Sequence, residues 1–427
     1  MPQMLRSLSM RVLLALILGL GLGAAAAAYA GPEVRRAIEI IESVGGLWLN
    51  ALRMTVVPLI FAVLVTGIAG VADAAATGRL AVKTIGLIVL LLAAGSVYTV
   101  FYADAFYALW PVGEAGATAL RAGASAAPDV AKQAPKLIDF IKGLAPANPL
   151  KAASEDSILP LVVFAGFFGF AVTRLPDARR RLMFEIFEAL SEAMVTIVRW
   201  VLMAAPVGVF ALGLGVGLRA GVSAAGEIVH YVIAISSANI SIAIVAYAMA
   251  VFLGRIPLRL WTRAVAPAQV AAFATQSSLA CLPVMIERSR DDLGVPERIT
   301  GLVLPLAVAL FRMTGPVANF GVVLFLLRVY GMHPTAAQYV GGVFVATATS
   351  LASVSLPGQL SFFASIAPIC LSMGVPVDIL PILIAVEVIP DIFRTIGNVT
   401  ADMAITTILW RSEPKAPATL EPATAQA

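Results

Sequence analysis

The chain is 427 residues long, with 60% of its residues hydrophobic and only 13% charged, where soluble domains carry roughly 25% charged residues. That deficit excludes an ordinary soluble enzyme, and a mean hydropathy of +0.94 together with uncharged runs of about 20 residues, each able to cross a hydrocarbon core of roughly 30 Å as a helix, marks an all-α polytopic membrane protein. The net charge of +4 comes without basic runs interleaved with aromatics, so nucleic acid is not an expected partner and the basicity reads as membrane topology.

In chain order, Arg6 and Arg11 precede an apolar stretch from Val12 towards Pro32. Ala-Tyr-Ala at 28–30 would suit signal-peptide cleavage, which is the competing reading, but the stretch is long for a signal core and long enough to span. Further spans are expected at about 45–71, 84–103, 157–173, 188–218 and 228–254. The loop between the third and fourth spans places Leu137, Ile138, Ile141 and Leu144 at helical spacing beside Lys132, Lys136 and Lys142, a pattern for a short helix lying at the membrane surface. Basic clusters at Arg6 and Arg11, Arg79 and Lys83, Arg179 to Arg181, Arg255 to Arg263, Arg288 to Arg298 and Arg411 then fall on one side, which puts both termini in the cytoplasm of a cell (inner) membrane; Arg35 and Arg36 break the pattern. The Ala-, Pro- and Thr-rich stretch 413–427 reads as a disordered tail.

The second half differs in kind. An uncharged segment from Ala264 to Ile286 is interrupted by Thr275, Gln276, Ser277, Ser278 and Pro283, and another from Val340 to Val377 by Ser350, Ser353, Ser355, Pro357 and Gly358. As one helix the latter would measure about 57 Å, nearly twice the membrane core. Each reads better as a re-entrant hairpin of two half-length helices meeting at a polar tip, with one full span between the pair and one after it, giving eight spans and two hairpins. Lipid tolerates broken backbone only where protein or a water-filled cavity satisfies it, and paired interrupted segments point to a transporter binding site.

The last span carries the chemistry. Glu387, Asp391, Arg394, Thr395, Asn398 and Asp402 fall within about 100° of one another on a single helix face. Ionisable groups at membrane depth are costly, so such a stripe faces protein or water and is a functional-site hypothesis; an internal salt-bridge lattice is the structural alternative. Three carboxylates against one arginine leave negative charge that calls for a further cation: a metal ion, a proton, a substrate ammonium or another arginine. Arg394 can take a substrate carboxylate bidentately and Asp391 an ammonium, while half-helix N-termini at the hairpin tips would favour a second carboxylate. A small anionic substrate with two carboxylates, an acidic amino acid above all, fits these groups.

Several arrangements fit poorly. Cys281 and Cys370 supply neither a disulfide framework nor a metal cluster, and His230 and His333 are the only histidines, so no cofactor is expected. Asp391 and Asp402 stand about 16 Å apart along the helix, too far to share a proton as a protease pair. Gly19, Gly21 and Gly23, like Gly213, Gly215 and Gly217, lack a nucleotide-binding context and suit close helix packing. An enzyme is therefore not expected, and a channel or a transporter-like sensor that binds without moving substrate is the alternative to a carrier.

Taken with Leu49 to Gly67, Pro146-Asn148-Pro149, Leu159-Pro160, Ala205 to Ala211 and the serine-bearing tip Ser277-Ser278 followed by Leu282-Pro283, the stripe Asp391, Arg394, Thr395, Asn398 and Asp402 resembles the dicarboxylate/amino acid:cation symporter family, the glutamate-transporter group. The resemblance covers nearly the whole chain. It implies a homotrimer with scaffold segments 1–76 and 111–222, and transport segments 77–110 and 223–412 that move substrate like an elevator. By position it implies that Arg394 holds a side-chain carboxylate, Asp391 the amino group, and Asn398 and Ser278 the α-carboxylate region. Thr395, Ser277, Ser353 and Ser355 would complete the pocket, and Asp402 with Asn398 would be metal ligands if a sodium site survives.

The departures concern that ion. The family's Asn-Met-Asp-Gly-Thr is replaced by Arg312-Met313-Thr314-Gly315-Pro316, Leu90 to Ala94 stands where hydroxyl ligands are expected, and the second tip lacks a long glycine run. Arg312, Thr314, Glu387 and Asp402 therefore become charge-balance candidates, with H+ and Na+ both open as the coupling ion and sodium-independent coupling the expectation. Pro390 is expected to free the carbonyl of Val386 and bend the last helix.

Overall fold

The computed structural model describes residues 8–76, 78–123, 146–155, 158–220, 223–352 and 358–413. Their regular structure is helical throughout. The expected surface helix around 137–144 and the tail beyond Glu413 lie outside the described residues, as do Ser353 and Ser355.

The first helices are α1 (Leu8–Tyr29), α2 (Pro32–Arg53), α3 (Val56–Ala76) and α4 (Arg79–Leu109). The second expected span is thus two helices broken at Met54 and Thr55. Its first part begins 13 residues earlier than the Gly45 boundary, because Glu33, Glu39, Glu42 and the two exposed arginines Arg35 and Arg36 leave it amphipathic rather than apolar. After α5 (Glu114–Gly123) and the short α6 (Pro149–Ser154), which Asn148 caps by accepting from the Leu150 and Lys151 amides, comes α7 (Ile158–Thr173). The fifth expected span is α8 (Asp177–Met203) followed by α9 (Ala205–Ala220), set at 57° to each other. Pro206 lies in the first turn of α9, where a missing N–H is tolerated but cannot continue the preceding helix. At this bend the Val201 carbonyl accepts from the Trp48 indole N–H at 2.7 Å, and Gly208 leaves room for the Trp48 ring, which a Cβ there would overlap.

The Gly-rich runs pair with each other. α1 packs along α9, and a Cβ on Gly23 or Gly217 would run into the backbone of the partner helix. The absence of side chains at these positions is what permits the approach. Across the same part of the molecule, Glu42 of α2 takes Arg219 of α9 through both carboxylate oxygens.

The second half contains α10 (Ser223–Ala248), closed by one π-helical turn at Met249–Leu253, then α11 (Leu258–Thr275) and α12 (Ser278–Asp291), α13 (Glu297–Leu310) and α14 (Thr314–Val329). It ends with α15 (Ala336–Ala352) and α16 (Gly358–Met373), the one-turn α17 (Leu380–Leu383), and α18 (Val388–Ser412). The α11–α12 and α15–α16 pairs pack against each other as helical hairpins where the two interrupted segments are expected. The first turns at Gln276, whose φ of 50° places it in the left-handed region usual for a helix C-cap, and at Ser277, whose hydroxyl accepts from the Ala280 amide at 3.3 Å to start the next helix.

Two differences concern the spans. By length and composition, four described helices could cross a membrane, or five if the bent pair α8–α9 is one span. The other expected spans are shorter apolar helices around Val57–Gly67 and Pro160–Thr173, or, for α18, carry the charged stripe itself. Pro390 is not in the interior of α18. It sits in the first turn, where no intrahelical donor is needed, and the Val386 carbonyl accepts from Ile389 at 3.2 Å.

Candidate functional site

α18 is buried along most of its length because α10, α11, α12, α13 and α14 surround it. Glu387, Asp391, Arg394, Thr395, Asn398 and Asp402 are all buried. The stripe is therefore an interior surface, as expected for charge at membrane depth. Glu387 is the N-cap of α18 rather than part of its regular face.

Arg394 is the centre of the arrangement. Its Nη2 lies 2.5 Å from Glu387 Oε1, its Nη1 lies 3.7 Å from Asp391 Oδ1, and its buried Nε has no hydrogen-bond partner among the described residues. Glu387 is held in turn by the Tyr231 hydroxyl, which donates to Oε2 at 2.9 Å. Tyr231 lies on α10, 156 residues away in sequence, and no local pattern marks it.

Below Arg394, a second set of bonds joins α18 to the start of α14. The Asn398 side-chain oxygen accepts from the Thr314 amide at 3.0 Å and from the Thr314 hydroxyl, 2.8 Å away. That hydroxyl also lies 3.0 Å from the Arg394 carbonyl. Gly397 allows the approach, since a Cβ there would meet the Thr314 methyl at 2.5 Å. Thr395 donates to the Asp391 carbonyl at 2.9 Å and is committed to its own helix. On the other side Asn239 of α10 donates to the Pro390 carbonyl at 3.3 Å.

Ser277 and Ser278 lie at the start of α12, which packs against α18, but neither hydrogen-bonds a stripe side chain among the described residues. Arg312 sits in the three-residue break between α13 and α14. It makes no ion pair within 4 Å among the described residues. Asp402 is fully buried, and neither of its carboxylate oxygens has a hydrogen-bond partner among the described residues.

His230 lies near the start of α10. It is buried within α10, 3.1 Å from Glu227, and stacked on Trp110 with ring centres 4.4 Å apart. Glu227 also accepts from the Gly113 amide at 2.8 Å, so the group fastens the turn after α4 to α10.

The profile of the sodium:dicarboxylate symporter family matches residues 8–412. The chain belongs to that family. It is 26% identical over 412 residues to the proton/glutamate-aspartate symporter of Escherichia coli (strain K12), covering 96% of this chain and 93% of that one. It is 24% identical over 377 residues to the proton/sodium-glutamate symport protein of Bacillus subtilis (strain 168), covering 87% and 86%. C4-dicarboxylate transport protein 2 of Bradyrhizobium sp. (strain ORS 278) is 25% identical over 380 residues, covering 87% and 83%. Sodium:dicarboxylate symporters are integral membrane transporters rather than enzymes, and the multi-helical apolar fold agrees.

The Asn398 side-chain oxygen is thus engaged by Thr314, and the α4 hydroxyls of Ser96 and Thr99 donate to the Leu92 and Gly95 carbonyls.

Proposed function

We propose that this chain is a secondary carrier that moves acidic amino acids or dicarboxylates such as aspartate, glutamate, malate or succinate across the inner membrane by an elevator movement. The observation that carries this reading is Arg394, a buried guanidinium with an unpartnered Nε and one loosely held carboxylate neighbour, Asp391. An unsatisfied donor in such a site is costly, and an incoming carboxylate satisfies it with a charge-assisted bond. Asp391, at 3.7 Å, is free to turn to a substrate ammonium. The names of the relatives, glutamate-aspartate symporter and C4-dicarboxylate transport protein, support the two halves of this substrate range.

The packing supports a division of labour between the scaffold segments 1–76 and 111–222 and the transport segments 77–110 and 223–412. α1, α2 and α9 pack together, as do α3, α7 and α8, whereas α10 to α14 gather round α18. Exposed Phe167, Phe170 and Trp200 on α7 and α8 suit burial against lipid or further copies in a homotrimer. The basic clusters support a cytoplasmic side for both termini.

Substrate binding to purified protein tests the assignment. Arg394→Ala should weaken aspartate and succinate by at least about 2 kcal/mol, since a desolvated carboxylate loses its partner. Asp391→Asn should favour succinate over aspartate. Unchanged affinity in Arg394→Ala refutes the reading, and proteoliposomes that bind substrate but show no saturable exchange would make the protein a sensor.

A further inference from the structure

Glu227 and His230, near the start of α10, form a buried pair that the carrier reading does not use. Glu227 Oε1 accepts from the Gly113 amide at 2.8 Å, and the Gly113 carbonyl starts α5 by accepting from the Ala117 amide at 2.8 Å. A Cβ on Gly116 would come within 2.2 Å of Glu227 Cγ, so the Glu227 side chain lies in the first turn of α5, where a negative charge suits the helix N-terminus. Its other oxygen is 3.1 Å from His230 Nδ1. An ionised carboxylate only accepts, so Nδ1 carries the hydrogen, and Nε2 is an acceptor without a partner among the described residues. The imidazole is held otherwise by rings of α4 and its C-cap, with centres 4.4 Å away for Trp110 and 5.7 Å away for both Phe106 and Tyr107.

The next residue in the chain is Tyr231, fully buried, whose hydroxyl donates to Glu387 Oε2 at 2.9 Å while Glu387 Oε1 lies 2.5 Å from Arg394 Nη2. Both His230 and Tyr231 pack on Phe325 of α14, with ring centres 6.4 and 5.3 Å from it. A single turn of α10 is thus clamped on one side to the α4–α5 corner and bonded on the other to the carboxylate that holds Arg394. A rotation or shift of that turn moves both residues together. With the Tyr231 donor withdrawn, Glu387 Oε2 turns to the nearest remaining donors, those of the Arg394 guanidinium, and takes up the edge that a substrate carboxylate needs.

We propose that His230 is a positioning residue for the Arg394 pocket: its bond to Glu227 fixes the turn of α10 from which Tyr231 reaches Glu387, and so keeps Glu387 from closing over the guanidinium. The inference rests on the carrier reading for its effect on substrate, but not for its geometry. It gives the Glu227–His230 pair a purpose beyond fastening a corner, since the clamp and the pocket share consecutive residues of one helix. The three carboxyl and imidazole side chains involved stand at fixed stations, and only Tyr231 joins the outer pair to the inner one.

The test uses the full chain in detergent. Unfolding temperatures of the substrate-free parent, His230→Phe, Glu387→Gln and the double variant form a cycle, and side chains with no bond between them ordinarily give additive effects. The expected result is a smaller loss of Tm in the double variant than the sum of the single losses, because Glu387→Gln has already removed the charge that Tyr231 is positioned to hold. Aspartate and succinate binding then reads the consequence. His230→Phe, which keeps a ring in the cage, should weaken both by at least about fivefold, the worth of one hydrogen bond, whereas His230→Asn, whose amide N–H stands near the place of Nδ1, should bind more nearly like the parent. Strictly additive Tm losses, an unchanged affinity in His230→Phe, or an order that favours Phe over Asn overturns the proposal. Coupled Tm losses in a parent that binds neither aspartate nor succinate uphold the positioning of the Arg394 pair and overturn the carrier reading instead. If His230→Phe does not fold, Glu227→Gln, which weakens the same clamp while keeping an acceptor for Gly113, takes its place in the cycle and in the binding assay.

Discussion

Two close helix contacts in this molecule are built on opposite principles. Where α1 meets α9, side chains are deleted: Gly19, Gly23, Gly213 and Gly217 bring backbone to backbone, and nothing polar is added. Where α14 meets α18, one glycine, Gly397, makes the room and Thr314 and Asn398 fill it with hydrogen bonds, beside a guanidinium and two carboxylates. The first contact gains from packing alone and tolerates any polar inventory elsewhere. The second holds buried charge and is stable only while each member keeps its partner. Rigidity is thus obtained cheaply at one seam, and chemistry is concentrated at the other.

The comparison breaks most visibly at Glu387. Glu387→Ala should destabilise the protein by about 3–5 kcal/mol, because it leaves Arg394 with a single distant carboxylate and the Tyr231 hydroxyl without an acceptor; Glu387→Gln, which keeps an acceptor for Tyr231, should lose less. Chemical unfolding in detergent measures both, and equal losses would mean that the hydrogen bond from Tyr231 contributes nothing beyond the charge of Glu387. At the glycine seam, Gly217→Leu should cost about 1–3 kcal/mol by overpacking while leaving substrate affinity in the folded fraction unchanged; a specific loss of affinity would show that the seam is coupled to the site. The smallest effect is expected for Thr314→Val, about 1–2 kcal/mol, since the hydroxyl bonds are lost but the Thr314 amide still reaches Asn398. Thr314→Ser should recover most of that stability.

How far the sequence reveals this depends on whether the signal is periodic or tertiary. The stripe on α18 is legible because its members repeat at helical spacing, and the hairpins are legible because hydroxyls, Gly and Pro interrupt otherwise apolar runs. The glycine runs read correctly as packing surfaces, but nothing local says that they pair with each other. α2 escapes a search for apolar runs because its face is mixed, with Glu42 hidden only by virtue of Arg219 on a distant helix. Tyr231 and His230 escape for the same reason: Glu387 is 156 residues from the first, and the rings around the second come from α4 and α14. Pro390 is misread because its effect depends on whether the helix has begun, a boundary that the sequence fixes only loosely.

The bond between the Asn398 side chain and the Thr314 amide has a mechanical side. Met313, at the head of α14, makes no side-chain cap, and the cap is supplied by Asn398 from another helix. An α14 displaced along its axis by even one turn of about 5.4 Å would lose the acceptor that starts it. The two helices behave like a bolt and its thread. A displacement of α18 that keeps this bond therefore carries the head of α14 with it.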